Sequence, residues 1–179
     1  MAAIRLCLFA VSPTKISALI HARNHALQIG RALDSLRCCD ETIVVDHTSS
    51  DEMPDEVRDD TLRVAREHGA RVLRAVTGAG NQAYVQQASH DWLLCLLPEE
   101  CVAEDLEASI LEWKLQEHAD IHSVFSVAVR EQVGHAWRLL PAETRLVHRA
   151  YVCWSGALPA PEPDAIALAG HILRIPDIK

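Results

Sequence analysis

Two short stretches carry the acidic residues whose placement suits chemistry. In ETIVVDHTSSD (41–51), the β-branched run Ile43, Val44, Val45 ends abruptly in Asp46, and a Ser/Thr/Asp cluster closing on Asp51 follows. In DWLLCLLPEE (91–100), the most apolar short run of the chain ends in Pro98, Glu99 and Glu100. A continuous apolar run of this kind fits a strand buried on both faces of a parallel sheet. Ligands of open α/β sheets bind in the crevice beyond the carboxyl ends of such strands, where a carboxylate accepts hydrogen bonds from a bound molecule. The same residues also suit a plainer role. Thr48, Ser49, Ser50 and Asp51 are helix-capping types, so Asp46 and Asp51 are equally readable as acids that cap and solvate a turn.

Other reactive residue types lack a productive spacing. The six cysteines (Cys7, Cys38, Cys39, Cys95, Cys101, Cys153) contain no CxxC pair and sit mostly among apolar neighbours, as expected of reduced thiols. Ten histidines are scattered over the chain; His118 and His122 share an i, i+4 spacing with no third ligand candidate nearby. Gly78 and Gly80 are too few and wrongly spaced for a dinucleotide fingerprint.

The elements that must position the acids follow from periodicity. KISALIHA (15–22) reads as a first core strand, closed by Arg23, Asn24 and His25, with Asn24 as a cap candidate. Ala26, Ile29, Leu33 and Leu36 make one stripe of an amphipathic helix that leads to the strand ending at Asp46. A second helix is expected over Pro54–His68, acidic at its start, basic at its end and stopped by Gly69. A strand over Ala70–Val76, a loop, a brief helix over Asn81–Ser89 and the central strand Asp91–Leu97 come next.

From Ala103 a longer helix carries Leu106, Ile110 and Trp113 on its inner face and stops near Ala119. Residues Ile121–Val133 turn to period two, predicting a half-exposed antiparallel strand with Phe125, Val127 and Val129 on one side. Three shorter pieces follow, Ala136–Leu140, Thr144–His148 and Tyr151–Trp154, then a proline cluster and a last apolar segment, Ala165–Ile175. Ile4–Val11 reads as an extra edge strand or arm, and the four tryptophans read as core packing.

At 179 residues the chain suits one domain. Its 17 basic and 25 acidic residues give a net charge of -8, which argues against nucleic-acid or anionic-membrane binding. The run Leu6–Val11 is too short to span a bilayer and lacks a basic flank and a cleavage site, so no transmembrane segment and a cytoplasmic location are expected.

Taken in order, ISALIHARNHALQIGRALDSLRCCDETIVVDHTSSD, AREHGARVL, a Gly-containing loop and HDWLLCLLPEE resemble the family 2 glycosyltransferases, especially the lipopolysaccharide-core type. Those proteins carry a VVVDsgStD turn and a gdWvLsLDADE strand in the same order. The resemblance spans Lys15–Glu112, and RLVHRAYVCWSG is similar to a later segment of the group.

It implies an α/β GT-A fold, a Rossmann-like and mostly parallel sheet flanked by helices, with a short antiparallel C-terminal part. It further implies a nucleotide-binding half over 15–118 and a shortened acceptor-side half over 119–179. The implied activity is transfer of a sugar, of hexosyltransferase type, from a nucleotide-diphosphate sugar to an acceptor that the sequence does not name. The departing diphosphate needs its charge neutralised by a divalent hard cation, and a carboxylate must take the acceptor proton. By resemblance, Asp46 contacts the nucleotide, Ala22, Arg23 and Asn24 line the same pocket, and Asn81 stands in the loop before the short helix.

Alignment on Trp92 puts Leu97, Pro98 and Glu99 where the family has its DxD motif, which is therefore degenerate. Glu99 remains as the ligand for Mg or Mn, and Glu99 with Glu100 as the catalytic acids. The family's His-Glu pair is replaced by Ala157, Leu158 and Pro159, leaving His171 as a late ligand candidate. Three readings stay open: an active transferase, a degenerate relative acting as a nucleotide-binding or assembly module, and an unrelated α/β protein. A homo-oligomer is equally open. The first reading requires the strands ending in Asp46 and Glu99 to lie side by side and to open into a shared cleft.

Overall fold

The computed structural model describes residues 13–48, 60–116 and 124–176. The arm at 4–11, the Ser49–Asp51 cluster, most of the acidic start of the second helix and the His118/His122 pair lie outside these residues.

In chain order the elements are β1 (Ile16–Ala22), α1 (Ala26–Asp34), β2 (Glu41–Asp46), α2 (Thr61–Glu67), β3 (Arg71–Arg74), α3 (Gln82–Val85), β4 (Trp92–Leu96), β5 (Glu100–Val102) and α4 (Glu104–Lys114). Then come β6 (Val124–Val133), β7 (Ala136–His148), β8 (Trp154–Ser155), β9 (Leu158–Pro159) and β10 (Ile166–Arg174). Eight strands form one sheet in the order β3-β2-β1-β4-β7-β6-β10-β5, and β8 pairs with β9 separately.

The first four strands of the sheet are parallel to one another. β1 and β2 are buried along nearly their whole length, as their unbroken apolar runs require. The chain runs outward from β1 to β2 and β3, then returns to β4 on the other side of β1. With right-handed crossovers, that reversal puts α1 and α2 on one face and α3 on the other. Ile29 and Ala32 of α1 and Ala65 of α2 accordingly pack with Ile20 and Val44, whereas Tyr84 and Val85 of α3 pack with Leu19, Ile43 and Cys95.

The second half is built on antiparallel pairing, with one exception. β7 runs antiparallel to both β4 and β6, but β10 is parallel to β6. This part is longer than expected: Ala136–Leu140 and Thr144–His148 fuse into a single 13-residue strand. Pro141 lies in that strand where the β6–β7 register slips between Val127 and Val129, an irregularity that removes the need for its missing N–H. Phe125, Val127 and Val129 face the core as their period-two pattern predicts.

A register shift in β10 between Leu168 and His171 contains Gly170 at φ +100. A Cβ there would stand 2.3 Å from the Leu106 backbone nitrogen, so only glycine lets this bulge approach the first turn of α4.

Several local expectations are corrected. Asn24 does not cap α1: it takes a left-handed φ of 55, and His25 occupies the cap position with its N–H donated to Thr61 Oγ1 at 2.7 Å. α4 ends at Lys114 rather than near Ala119. Trp92 and Trp113 meet edge to face at 4.7 Å inside the core, but Trp137 is 47% exposed on the β6–β7 hairpin. The described cysteines are free thiols. No helix among the described residues is long and apolar enough to cross a membrane.

Candidate functional site

The carboxyl ends of β3, β2, β1 and β4 share one edge of the sheet. Ala22, Asp46 and Arg74 stand in register, and Leu96 pairs with Ile20 just before the end of β1. The reversal of strand order falls between β1 and β4, the place where an open sheet parts into a crevice. The segments that leave these two strands are Arg23–Asn24 and Leu97–Glu99.

Asp46 and Glu99 do not close neighbouring strands. β1 lies between β2 and β4, so the ends of those strands are roughly 10 Å apart at ordinary strand spacing. The requirement that the two strands lie side by side is therefore not met; what the structure retains is a common edge, because β1 is parallel to both.

Asp46 is fully buried. Its Oδ1 accepts the Thr48 backbone N–H at 2.8 Å and the Thr48 hydroxyl, the pattern by which an aspartate closes its own turn. The ladder runs past the strand, with the His47 N–H donated to the Ala22 carbonyl and the Ala75 N–H to that of Asp46. Ala22 is buried, and Arg23 and Asn24 are exposed. Asn81, the residue before α3, donates its side-chain amide to the Gly156 carbonyl, tying the loop after β3 to the β8–β9 turn.

The two glutamates after β4 differ sharply. Glu100 is 0% exposed and faces the equally buried Arg145, whose Nη1 and Nη2 each donate at 2.8 Å, one to each carboxylate oxygen. Arg174 adds its Nε and Nη2 to Oε1, the Leu97 N–H donates to Oε2, and Glu143 accepts from both arginines. Burial alone would depress the Arg174 guanidinium, but the hydrogen bonds and charge of Glu100, with help from Glu143, hold it above its ordinary value. Glu100 thus has no coordination position left for a cation, and it fastens the Leu97–Glu100 turn instead. Glu99 rides on that turn. It is half-buried, its carbonyl accepts the Ile175 N–H, and its carboxylate has no hydrogen-bond or ion-pair partner among the described residues.

Elsewhere, His171 is committed to Asp105 through Nδ1 at 2.8 Å. Among the described residues no group of three or more His, Cys, Asp or Glu is placed to hold a metal ion.

Sequence reasoning missed two histidines at this edge. His21, the last residue but one of β1, is 8% exposed, and its Nδ1 lies 2.8 Å from Nε2 of His47, the residue after Asp46. Burial, and then the charge of His47, bring His21 down to about 4. Burial also lowers His47, with Arg23 acting in the same direction and Asp46 against it. An imidazole near the end of a strand whose only other polar side chain is Ser17 was the available signal for His21. Arg145 was legible only as part of RLVHRAYVCWSG.

No family model matches the chain. It is 33% identical over 100 residues, 54% of its length, to an uncharacterised glycosyltransferase of Rickettsia felis, and spans about a third (32%) of that protein. A crystal structure of residues 1–349 of TarS from S. aureus superposes on 72% of this chain and 38% of that one, at 17% identity and a TM-score of 0.50. The chain has the GT-A fold. Glucosyl-3-phosphoglycerate synthase from Mycobacterium tuberculosis, solved with Mn2+, uridine diphosphate and glucosyl-3-phosphoglycerate, is also similar, at 19% identity and a TM-score of 0.46 over 68% of this chain and 45% of that one. The carboxyl edge of this GT-A sheet is where Ala22–Asn24, Asp46 and Glu99 gather.

Proposed function

We propose that the chain is a glycosyltransferase of the family 2, lipopolysaccharide-core type, passing a sugar from a nucleotide-diphosphate donor to an acceptor hydroxyl. One observation carries this reading: the reversal of strand order at β1 brings the Arg23–Asn24 loop, the Asp46 turn and the Glu99 carboxylate, which has no partner among the described residues, to one edge of a GT-A sheet. The half over 15–118 takes the donor and the half over 119–179 faces the acceptor.

The donor set at the β4 end fits a cation carried in on the substrate. Mg2+ is commonly held by one or two carboxylates with the substrate phosphates and water completing the shell, and Glu99 alone meets that minimum. The ion, Mg2+ or Mn2+, would neutralise the departing diphosphate when bound. Asp46 keeps the turn after β2 in shape for the nucleotide, and the Glu100–Arg145 pair holds the turn on which Glu99 sits. Asn81 holds the neighbouring loop. Free thiols suit a reducing cytoplasm.

A second reading, a nucleotide-binding module without turnover, is favoured by Leu97, which puts an apolar side chain where a second carboxylate is expected. Thermal melts with UDP, GDP, ADP and CDP, each with and without Mn2+ or Mg2+, separate the two. A ligand selective for the folded state stabilises it by about 2.7 kcal/mol at a hundred times its Kd. A rise that needs metal, and is abolished by Glu99→Ala, supports the transferase. A rise without metal and without sugar transfer supports the module, and no response to any nucleotide overturns both. Leu97→Asp is expected to strengthen the metal-dependent effect; unchanged or weaker binding counts against the alignment at Trp92.

A further inference from the structure

The histidine pair has a proton arrangement that its surroundings fix. His21 Nδ1 and His47 Nε2 share one hydrogen bond of 2.8 Å, so one ring donates and the other accepts. His21 Nε2 is sealed from solvent with no partner among the described residues, its ring set edge-on to buried Tyr84 at 5.7 Å, and the Tyr84 hydroxyl already accepts the Val76 N–H. If His47 were the donor, His21 would carry its proton on Nε2, burying an N–H that has no acceptor. Orphaned buried N–H groups are rarer than orphaned acceptors, so the favoured tautomer has His21 Nδ1–H donating and Nε2 bare. His47 then accepts through Nε2 and must carry its own proton on Nδ1. The His47 ring is half-buried, its backbone is tied to Ala22, and its side chain makes no other hydrogen bond among the described residues.

We propose that His47 is a nucleoside-binding residue, with its Nδ1–H fixed by His21 as a neutral donor to an oxygen acceptor on the donor's ribose or base. The inference deepens the sugar-nucleotide reading and rests on it. His21 is a positioning residue: it touches no ligand and acts by setting the tautomer and angle of the His47 ring, whose plane lies 35° from its own. A neutral N–H beside the Asp46 turn discriminates among nucleosides, whereas a lysine or arginine there would draw any polyphosphate.

Two measurements test this. Two-bond nitrogen–proton correlation spectra at pH 7.5 report the tautomer without any nucleotide. His47 is expected as the Nδ1–H form in the unaltered protein and to lose that preference in His21→Leu, while His21→Gln, whose amide N–H replaces the donor, retains it. Calorimetric titration with UDP, GDP, ADP and CDP in the presence of Mn2+ gives the binding side. For the tightest nucleotide, His47→Phe should weaken binding about fivefold to tenfold, His21→Leu by about threefold, and His21→Gln hardly at all, in line with one hydrogen bond to an uncharged group. Free nucleoside should lose the same factor.

Circular dichroism on each variant verifies the fold. An Nε2–H tautomer for His47, or equal nucleotide binding by His47→Phe, overturns the proposal with the sugar-nucleotide reading intact. Loss for nucleotides but not for free nucleoside overturns it in favour of a phosphate contact. Absence of nucleotide binding by the unaltered protein overturns both readings.

Discussion

Glu99 and Glu100 are adjacent in sequence and opposite in circumstance. Glu100 opens β5, and antiparallel pairing with β10 turns its side chain inward against Arg145 and Arg174. Glu99, one residue earlier in the turn, leaves its carboxylate with no partner among the described residues. The cluster, buried at Glu100 and Arg145 and half-buried at Arg174 and Glu143, is two arginines and two glutamates, so its formal charges cancel and the bidentate Arg145 contact recovers part of the desolvation cost. The difference teaches that an acid in a motif-like position can serve the fold by fixing a turn, while its neighbour stays available to a ligand. Composition cannot separate them; the partner strands do.

Removing Arg145 is the strongest way to break that contrast. Arg145→Ala leaves Glu100 buried beside one arginine instead of two and should cost about 3–5 kcal/mol in denaturant unfolding; a loss under about 1 kcal/mol would show that the cluster does not hold the turn. Acid pH probes the other occupied group at this edge. His21, faced by His47 and Tyr84 with Asp46 and Arg23 beside His47, has a folded value near 4 against 6.5 unfolded. The unfolded chain therefore binds the extra proton, and stability present above pH 6.5 declines by roughly 3 kcal/mol as pH falls to 4. His21→Leu should flatten that slope.

Gly170→Ala drives a Cβ into the start of α4 and displaces the strand that delivers Arg174, with an expected cost of about 1–3 kcal/mol. Glu99→Gln should move stability by no more than about 0.5 kcal/mol and still remove any metal-dependent nucleotide effect. A large stability loss there would erase the distinction between the two acids.

Much of the parallel half was legible because its signals are local. The runs in β1, β2 and β4, the inner face of α4 and the stop at Gly69 each follow from residues within a few positions of one another. Beyond them the pattern fails for physical reasons. Ala136–Leu140 projects from the sheet with most of its side chains exposed, so no alternation betrays that it continues through Pro141 into Thr144–His148. That β1 intervenes between β2 and β4, or that β10 lies parallel to β6, depends on pairing between distant segments. Arg145 is 45 residues from Glu100, and nothing local says that one will seal the other. Asp46 illustrates the remaining ambiguity: VVDHTS fits a turn-closing acid and a ligand anchor alike, and the structure gives it Thr48 as a partner at the very edge where ligands of such sheets bind.

The two outermost strands of the eight-stranded sheet have a consequence for behaviour at high concentration. β3 has four residues, with Arg71 and Arg74 exposed at its ends, and β5 has three. One short charged rim and one short buried rim give an incoming chain little to zip against, so the long apolar interior is shielded from the edge-to-edge strand addition that seeds insoluble fibres.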